Sequence, residues 1–235
     1  MTTPQPVQIS LPGQTHVAHG PHDQTGMYLM HHAFRRDLAR FKSAVRQTPV
    51  GEHETWRLLA ARWDRFGTVL HHHHQVEDEA IWPVLLEAVR GDEADTATLT
   101  AMEAEHGQID PALAACTEAF AAMAAHPCDD HRNALDVHVT TTRAALLDHL
   151  RHEETEALPL LQRVMTEEQF AASEAAAEKG YPARLLPFLV PWVADEVPAD
   201  VSEHFLREAG TAYAVMLRLL RGRHARREQR VFRFA

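Results

Sequence analysis

Two histidine–glutamate pairs are the residues of this sequence whose type and spacing point most directly to chemistry. His73 precedes Glu77, and His149 precedes Glu153, by four positions each. Residues four apart on an α-helix share one face and lie about 6 Å apart along the axis. An imidazole can then bind one metal ion while the longer carboxylate reaches a point between two ions about 3.5–4 Å apart. The two pairs predict a site for two metal ions.

Two further histidines repeat at a matching interval. His31 and His106 are 75 residues apart, and His73 and His149 are 76 residues apart. In each copy a proline follows ten residues after the histidine of the pair, where it is expected to kink the helix just beyond the site. This register indicates a duplicated two-helix unit with one histidine pair for each metal ion.

The elements that must position these residues are helices. Helical periodicity runs through almost the whole chain, and no hairpin signal such as Asn-Gly occurs. Four long amphipathic segments are separated by short breaks rich in proline, glycine and aspartate, which favours an all-α, up-down four-helix bundle. The segments span about 26–47, 53–90, 95–125 and 130–165. We predict an N-terminal arm over 1–25, the bundle over 26–165, and a C-terminal helical extension with an Arg-rich tail over 166–235.

Helical phase places one histidine of each segment on its apolar face, and two of the segments add a glutamate one turn later. The six inward residues are His31, His73, Glu77, His106, His149 and Glu153. His32 and His72 point away from these faces, whereas His71 and His74 lie toward the flanks. A single inward histidine is more often an ordinary core residue. Buried carboxylates, however, need a partner, and the apolar stripes offer no inward Lys or Arg, so we interpret the six as metal ligands.

This pattern resembles the hemerythrin-like family, or HHE cation-binding domain, over about residues 26–165. The resemblance rests on the six residues in their order His, His-x-x-x-Glu, His, His-x-x-x-Glu. It implies a non-haem centre of two iron ions joined by an oxo or hydroxo bridge, with O2, H2O2 or NO as the small-molecule ligand. The family's oxygen-storage members carry a fifth histidine where this chain has Asp110, and they end in His-x-x-x-x-Asp. These departures favour peroxide or nitric oxide chemistry over oxygen storage.

Asp110 is the best candidate for a catalytic acid–base residue near the irons. Its alternative interpretation is a helix-start residue before Pro111. The resemblance thus implies a non-haem di-iron protein that reacts with peroxide, oxygen or nitric oxide, in a catalase-like, peroxidase-like or stress-response role.

Other interpretations carry less support. A ferritin-like site needs two inward Glu-x-x-His pairs, and only Glu103 with His106 has that spacing. Iron–sulfur repair proteins share the ligand order, but usually add an N-terminal cysteine-bearing region that is missing here. A zinc-filled structural bundle is a further alternative, but structural zinc avoids open sites. The main alternative is a module that senses or binds oxygen or iron without turnover.

Composition limits the class of partner. A net charge of -10 argues against generic nucleic-acid binding. Residues 218–235 hold seven arginines against one acid, which we interpret as a tail that docks on the bundle's own surface. No apolar run has membrane-spanning length and no signal peptide is apparent, so no membrane contact and a cytoplasmic location are expected. Histidines 16, 19 and 22 of the arm are expected to be exposed.

Overall fold

A computed structural model describes residues 6–235, apart from the side chains at positions 178, 180 and 208. The described chain is helical and contains no strand, as the sequence predicts. The bundle consists of α1 (Thr25–Gln47), α2 (His53–Val76), α3 (Trp82–Ala88), α4 (Glu93–Ala125), α5 (Asp129–His152) and α6 (Leu158–Val164). The extension consists of α7 (Glu167–Gly180), a 3-10 turn (Ala183–Leu185), α8 (Leu186–Val193) and α9 (Ala199–Val231).

Four long helices form the bundle in ring order α1, α2, α4 and α5, each packing against its two neighbours. Their apolar stripes meet in a core rich in aromatic side chains. The indole ring of Trp63 stacks on Phe120 with the ring centroids 5.1 Å apart, and Phe41 packs edge-on against Trp63. This aromatic layer lies toward the end of the bundle away from the histidines, which leaves the other end for polar residues.

A π-helical turn follows the second histidine of each repeat. These turns span Glu77–Ile81 and Glu153–Ala157, and each begins at the glutamate of a His–Glu pair. The prolines at 83 and 159 lie just beyond, in the first turns of α3 and α6. Because proline lacks an N–H and crowds the preceding turn, the regular hydrogen-bond ladder is interrupted there. The predicted single helices over 53–90 and 130–165 are therefore each reshaped at the site, a common position for π-helical turns.

The extension packs along one side of the bundle. Helix α7 contacts α2, α8 contacts α1, and α9 contacts α8 and α2. Helix α9 bends at Gly210, whose φ of 82° is a left-handed conformation that glycine adopts without strain. Its C-terminal half continues as helix through most of the Arg-rich tail, to Val231. Arg230 and Arg233 form ion pairs with Glu54 and Glu52 at the start of α2, in agreement with docking of the tail.

One expectation about charge proved wrong. The apolar stripe of α2 was expected to hold no inward cation, but Arg62 is fully buried. Its guanidinium binds the carboxylates of Asp37 from α1 and Glu228 from α9. Asp37 also accepts a hydrogen bond from Trp192 Nε1 at 2.8 Å. This ion-pair network joins the extension to the bundle and lies among the aromatic rings of the core.

In the part of the chain that the structure describes, no helix is both long enough and apolar enough to cross a membrane. The N-terminal arm lies against the bundle over residues 6–24, and its Ile9, Leu11 and Ala18 are buried. His16 and His19 are exposed as expected, but His22 is buried because its ring stacks on Phe170 of α7.

Candidate metal centre

The six inward residues lie in two adjoining groups at one end of the bundle. The first group contains His31, His73, Glu77 and Glu153, and one ligand atom from each lies within 4.8 Å of the others. The second contains His106 and His149 together with His74, within the same limit. All seven side chains are buried. Each of the four long helices supplies at least one histidine, as helical phase predicts.

The two glutamates touch both groups. Glu77 Oε1 lies 3.0 Å from His73 Nε2, and Glu77 Oε2 lies 3.4 Å from His106 Nε2. Glu153 Oε2 lies 3.1 Å from His31 Nε2 and 3.8 Å from His149 Nε2. The π-helical turns that begin at these glutamates bring the two carboxylates to the boundary between the groups. This is the arrangement in which carboxylates can bridge two metal ions.

The donor atoms themselves fit a metal site. Nε2 of His31 and His73, both ring nitrogens of His74, and both carboxylate oxygens of Glu77 and Glu153 are buried without a hydrogen-bond partner of suitable geometry. A buried polar atom without a partner costs free energy, and a protein rarely gathers so many at one point. Imidazole nitrogens and carboxylate oxygens are ligands that iron, zinc, manganese and copper accept. The residues present therefore fit a pair of metal ions.

Three carboxylates hold the outer nitrogens of the histidines. His31 Nδ1 lies 3.0 Å from Glu154 Oε1, His106 Nδ1 lies 2.8 Å from Asp78 Oδ1, and His149 Nδ1 lies 2.8 Å from Glu105 Oε2. A neutral imidazole that donates its Nδ1–H to a carboxylate presents an unprotonated Nε2 on the other side. These contacts orient the three rings toward the centre.

Electrostatics acts in opposite directions on the pKa values of His31 and His106 and on that of His74. Burial lowers the pKa of His31 and His106, but the facing carboxylates outweigh burial and raise both pKa values to about 9. Burial and the neighbouring His106 instead hold the pKa of His74 well below its ordinary value, so that ring stays neutral with its lone pair available. Burial alone raises the pKa of Glu77, yet His73 and His106 keep it well below the ordinary range. Metal binding must therefore displace protons from His31 and His106.

Comparison with known families agrees with this geometry. The model of the hemerythrin HHE cation-binding domain matches residues 23–161. The chain belongs to this hemerythrin family. No curated protein and no solved structure gave a significant match to the chain. The hemerythrin match covers both histidine–glutamate pairs and both groups of ligands, and it ends shortly before the extension.

His74 is the member of the two groups that helical phase did not place on an apolar face of this hemerythrin domain. Its ring is 2% exposed and stacks on His106 with centroids 4.0 Å apart. Helical phase placed it at the flank of the apolar stripe, and the flank of α2 on that side faces α4. The signal that could have found it is the His73-His74 dipeptide, because adjacent residues 100° apart can face two neighbouring helices of a bundle at once.

Asp110 lies outside both groups of ligands. It is an exposed residue of α4 whose Oδ2 lies 3.8 Å from Nδ1 of His71, on an open surface depression between α2 and α4. Helix α4 continues through Pro111, so Asp110 is not a helix-start residue either. The fifth buried histidine of the two groups is therefore His74 of α2, and the α4 position that Asp110 occupies contributes to neither group.

Replacing His74 by alanine tests whether the fifth histidine binds metal. We expect the His74→Ala protein to retain less metal than the parent protein, because the second group would lose one of its three imidazoles. The matched control is His71→Ala, which removes a histidine of the same run that is 66% exposed. Metal analysis of both proteins after identical loading gives the answer, and equal metal content would exclude His74 as a ligand.

Proposed function

We propose that this hemerythrin domain holds two iron ions and reacts with a small oxidant, namely peroxide, oxygen or nitric oxide. His31 and His73 would hold one ion, His74, His106 and His149 would hold the other, and Glu77 and Glu153 would bridge them. The observation that carries the proposal is the contact of both buried glutamates with histidines of both groups. When bound, the iron pair would supply a Lewis acid and a source of electrons.

The protein's own residues give the two positions different roles. Three imidazoles would serve one ion and two would serve the other, so the ion with fewer protein ligands would have more room for an external ligand. The sequence analysis predicted two histidines for each metal ion, an even division that disfavoured reversible oxygen binding. With five imidazoles unevenly divided, oxygen binding stands beside peroxide and nitric oxide chemistry in the same proposal.

Solvent access also differs between the two sides. On the His31 side, Glu154 is fully buried. On the His106 and His149 side, the Asp78 side chain is 35% exposed and that of Glu105 is 29% exposed. His152, which bonds the second oxygen of Glu105, is also partly exposed. The side of Asp78 and Glu105 is therefore the more open to solvent, and there Glu105 and His152 could pass protons between the centre and the solvent.

Metal analysis with an absorption spectrum tests the proposal directly. We expect two irons per chain and near-ultraviolet absorption typical of an oxygen-bridged iron pair. Peroxide consumption by the iron-loaded protein should exceed that of free iron at the same concentration. One zinc per chain, or no metal after anaerobic loading with iron, would exclude the proposed centre.

A sensing or binding module without turnover is the second candidate. Among the arginines of the tail, salt bridges to described residues occur at Arg230 and Arg233. The four arginines at 218, 221, 223 and 226 are exposed on α9 and form no salt bridge with a described residue. Free surface cations of this kind suit a protein that signals by binding a partner molecule. A stable complex of the iron-loaded protein with oxygen or nitric oxide, combined with no peroxide consumption, would favour this candidate.

A further inference from the structure

The N-terminal arm is fixed to the bundle on both sides of its midpoint, by hydrogen bonds on one side and by buried apolar side chains on the other. The backbone N–H of Ala18 donates to the hydroxyl of Tyr28 at 2.7 Å. Gln162 of α6 accepts from the N–H of His22 and donates to its carbonyl oxygen. On the other side of the midpoint, Ile9 and Leu11 are buried. The segment between these anchors is therefore held over the end of the bundle that carries the ligands.

One atom of this segment reaches the ligands through a single carboxylate. The backbone N–H of Thr15 donates to Glu154 Oε2 at 2.7 Å. The other oxygen of Glu154 accepts from Arg35 Nη1 at 2.7 Å and lies 3.0 Å from His31 Nδ1. Glu154 is fully buried, so these contacts are shielded from water. The arm, Glu154 and His31 form one continuous chain of hydrogen bonds.

We infer that Glu154 is a positioning residue for the metal position of His31 and His73, and that the N–H of Thr15 holds Glu154 in place. Docking of the arm and metal binding at that position are then coupled. A metal-binding histidine takes its orientation from the hydrogen bond at its other nitrogen, and loss of such a partner typically weakens metal binding by about 10–100-fold. The inference rests on the proposed metal centre.

The second metal position does not depend on the arm. Its outer carboxylates, Asp78 and Glu105, belong to the bundle itself and are partly exposed. Coupling between two binding events is reciprocal, so metal at the first position must also stabilise the docked arm. Loss of the arm contact should thus weaken one metal position and spare the other.

A pair of substitutions at Thr15 isolates the contact. Thr15→Pro removes the backbone N–H, whereas Thr15→Ala keeps it and serves as the matched control. After loading with iron(II) without oxygen, followed by a weak chelator, we expect Thr15→Ala to keep two ions per chain. Thr15→Pro should keep about one, with at least tenfold weaker binding of the other. Glu154→Gln should show the same loss of metal, although the sequence of the arm is unchanged.

Hydrogen exchange of the arm supplies a readout that does not depend on activity. Metal should slow amide exchange over residues 8–22 of the unaltered protein about tenfold or more, and should slow it less in Glu154→Gln. Equal metal content and equal affinity in Thr15→Pro and Thr15→Ala would overturn the inference and leave the metal centre standing. Equal rates of amide exchange in the arm with and without metal would also overturn the inference and leave the metal centre standing. Failure of the unaltered protein to bind metal would overturn both.

Discussion

Replacing Glu77 by glutamine is expected to remove bound iron, with more than a tenfold fall in affinity. Glu77 contacts histidines of both groups, so its carboxylate would be shared by both ions. A glutamine keeps the shape of the side chain but loses the negative charge and one of the two anionic donors. Neither ion would then be held as in the parent protein. Metal content after loading and dialysis measures the loss.

The same substitution should abolish stabilisation by the metal. A ligand that binds only the folded state stabilises it by about 2.7 kcal/mol at one hundred times its dissociation constant. The parent protein should therefore melt at a higher temperature when loaded, and Glu77→Gln should melt at the same temperature with and without iron.

The control for Glu77→Gln is His72→Ala. His72 adjoins His73 of the first group, but its ring packs on Tyr181 and its Nε2 lies near the carbonyl of Ala177 in α7. We expect His72→Ala to keep two irons and the rise in melting temperature. Iron loss in His72→Ala equal to that in Glu77→Gln would contradict the assignment of the ligands.

Replacing Asp37 by asparagine is expected to destabilise the fold by about 3–5 kcal/mol, the usual cost of removing one partner from a buried ion pair. Asp37 and Arg62 are both fully buried, and Asp37 also accepts from Trp192 of α8. Once the charge of Asp37 is removed, Glu228 is the one anionic partner that Arg62 keeps among the described residues. Denaturant unfolding measures the change, and Arg230→Gln is the control. Because Arg230 pairs with Glu54 at the surface, its loss should cost at most about 1 kcal/mol.

At acid pH, the difference in the free energy of unfolding between Asp37→Asn and the parent protein should become smaller. Burial raises the pKa of Asp37, but Arg62, Arg36 and the Trp192 N–H outweigh burial and hold it below its ordinary value. The ionised carboxylate therefore stabilises the fold above the ordinary aspartate pKa of about 3.9. This contribution is lost as pH falls through the lower pKa of the folded protein. A stability difference that stays constant down to pH 2 would contradict the role of this charge.

The sequence by itself determined the helices and the face that each turns inward. A periodicity of 3.6 residues fixes the direction of a side chain relative to its own helix axis. His31, His106 and the two His–Glu pairs therefore had to share one end of any bundle that buried the four apolar stripes. The duplicated spacing predicted that the repeats would meet as equivalent halves, and the structure brings these six residues into two adjoining groups. Their role as ligands of iron remains a prediction.

Tertiary structure decided which flanking residues are also buried. His74 belongs to the site because α4 covers its side of α2, and helical phase does not report what packs beside a helix. His32, on the polar side of α1, is buried because its ring reaches the carbonyl of Pro12 in the arm.

The buried charge of Arg62 has the same explanation over a longer distance. Its partner Glu228 lies 166 residues away in sequence, on a helix whose docking site the sequence does not specify. A pattern within one helix carries information about that helix alone. The environment of each flank depends on segments that are remote in sequence, and only the folded chain brings those segments together.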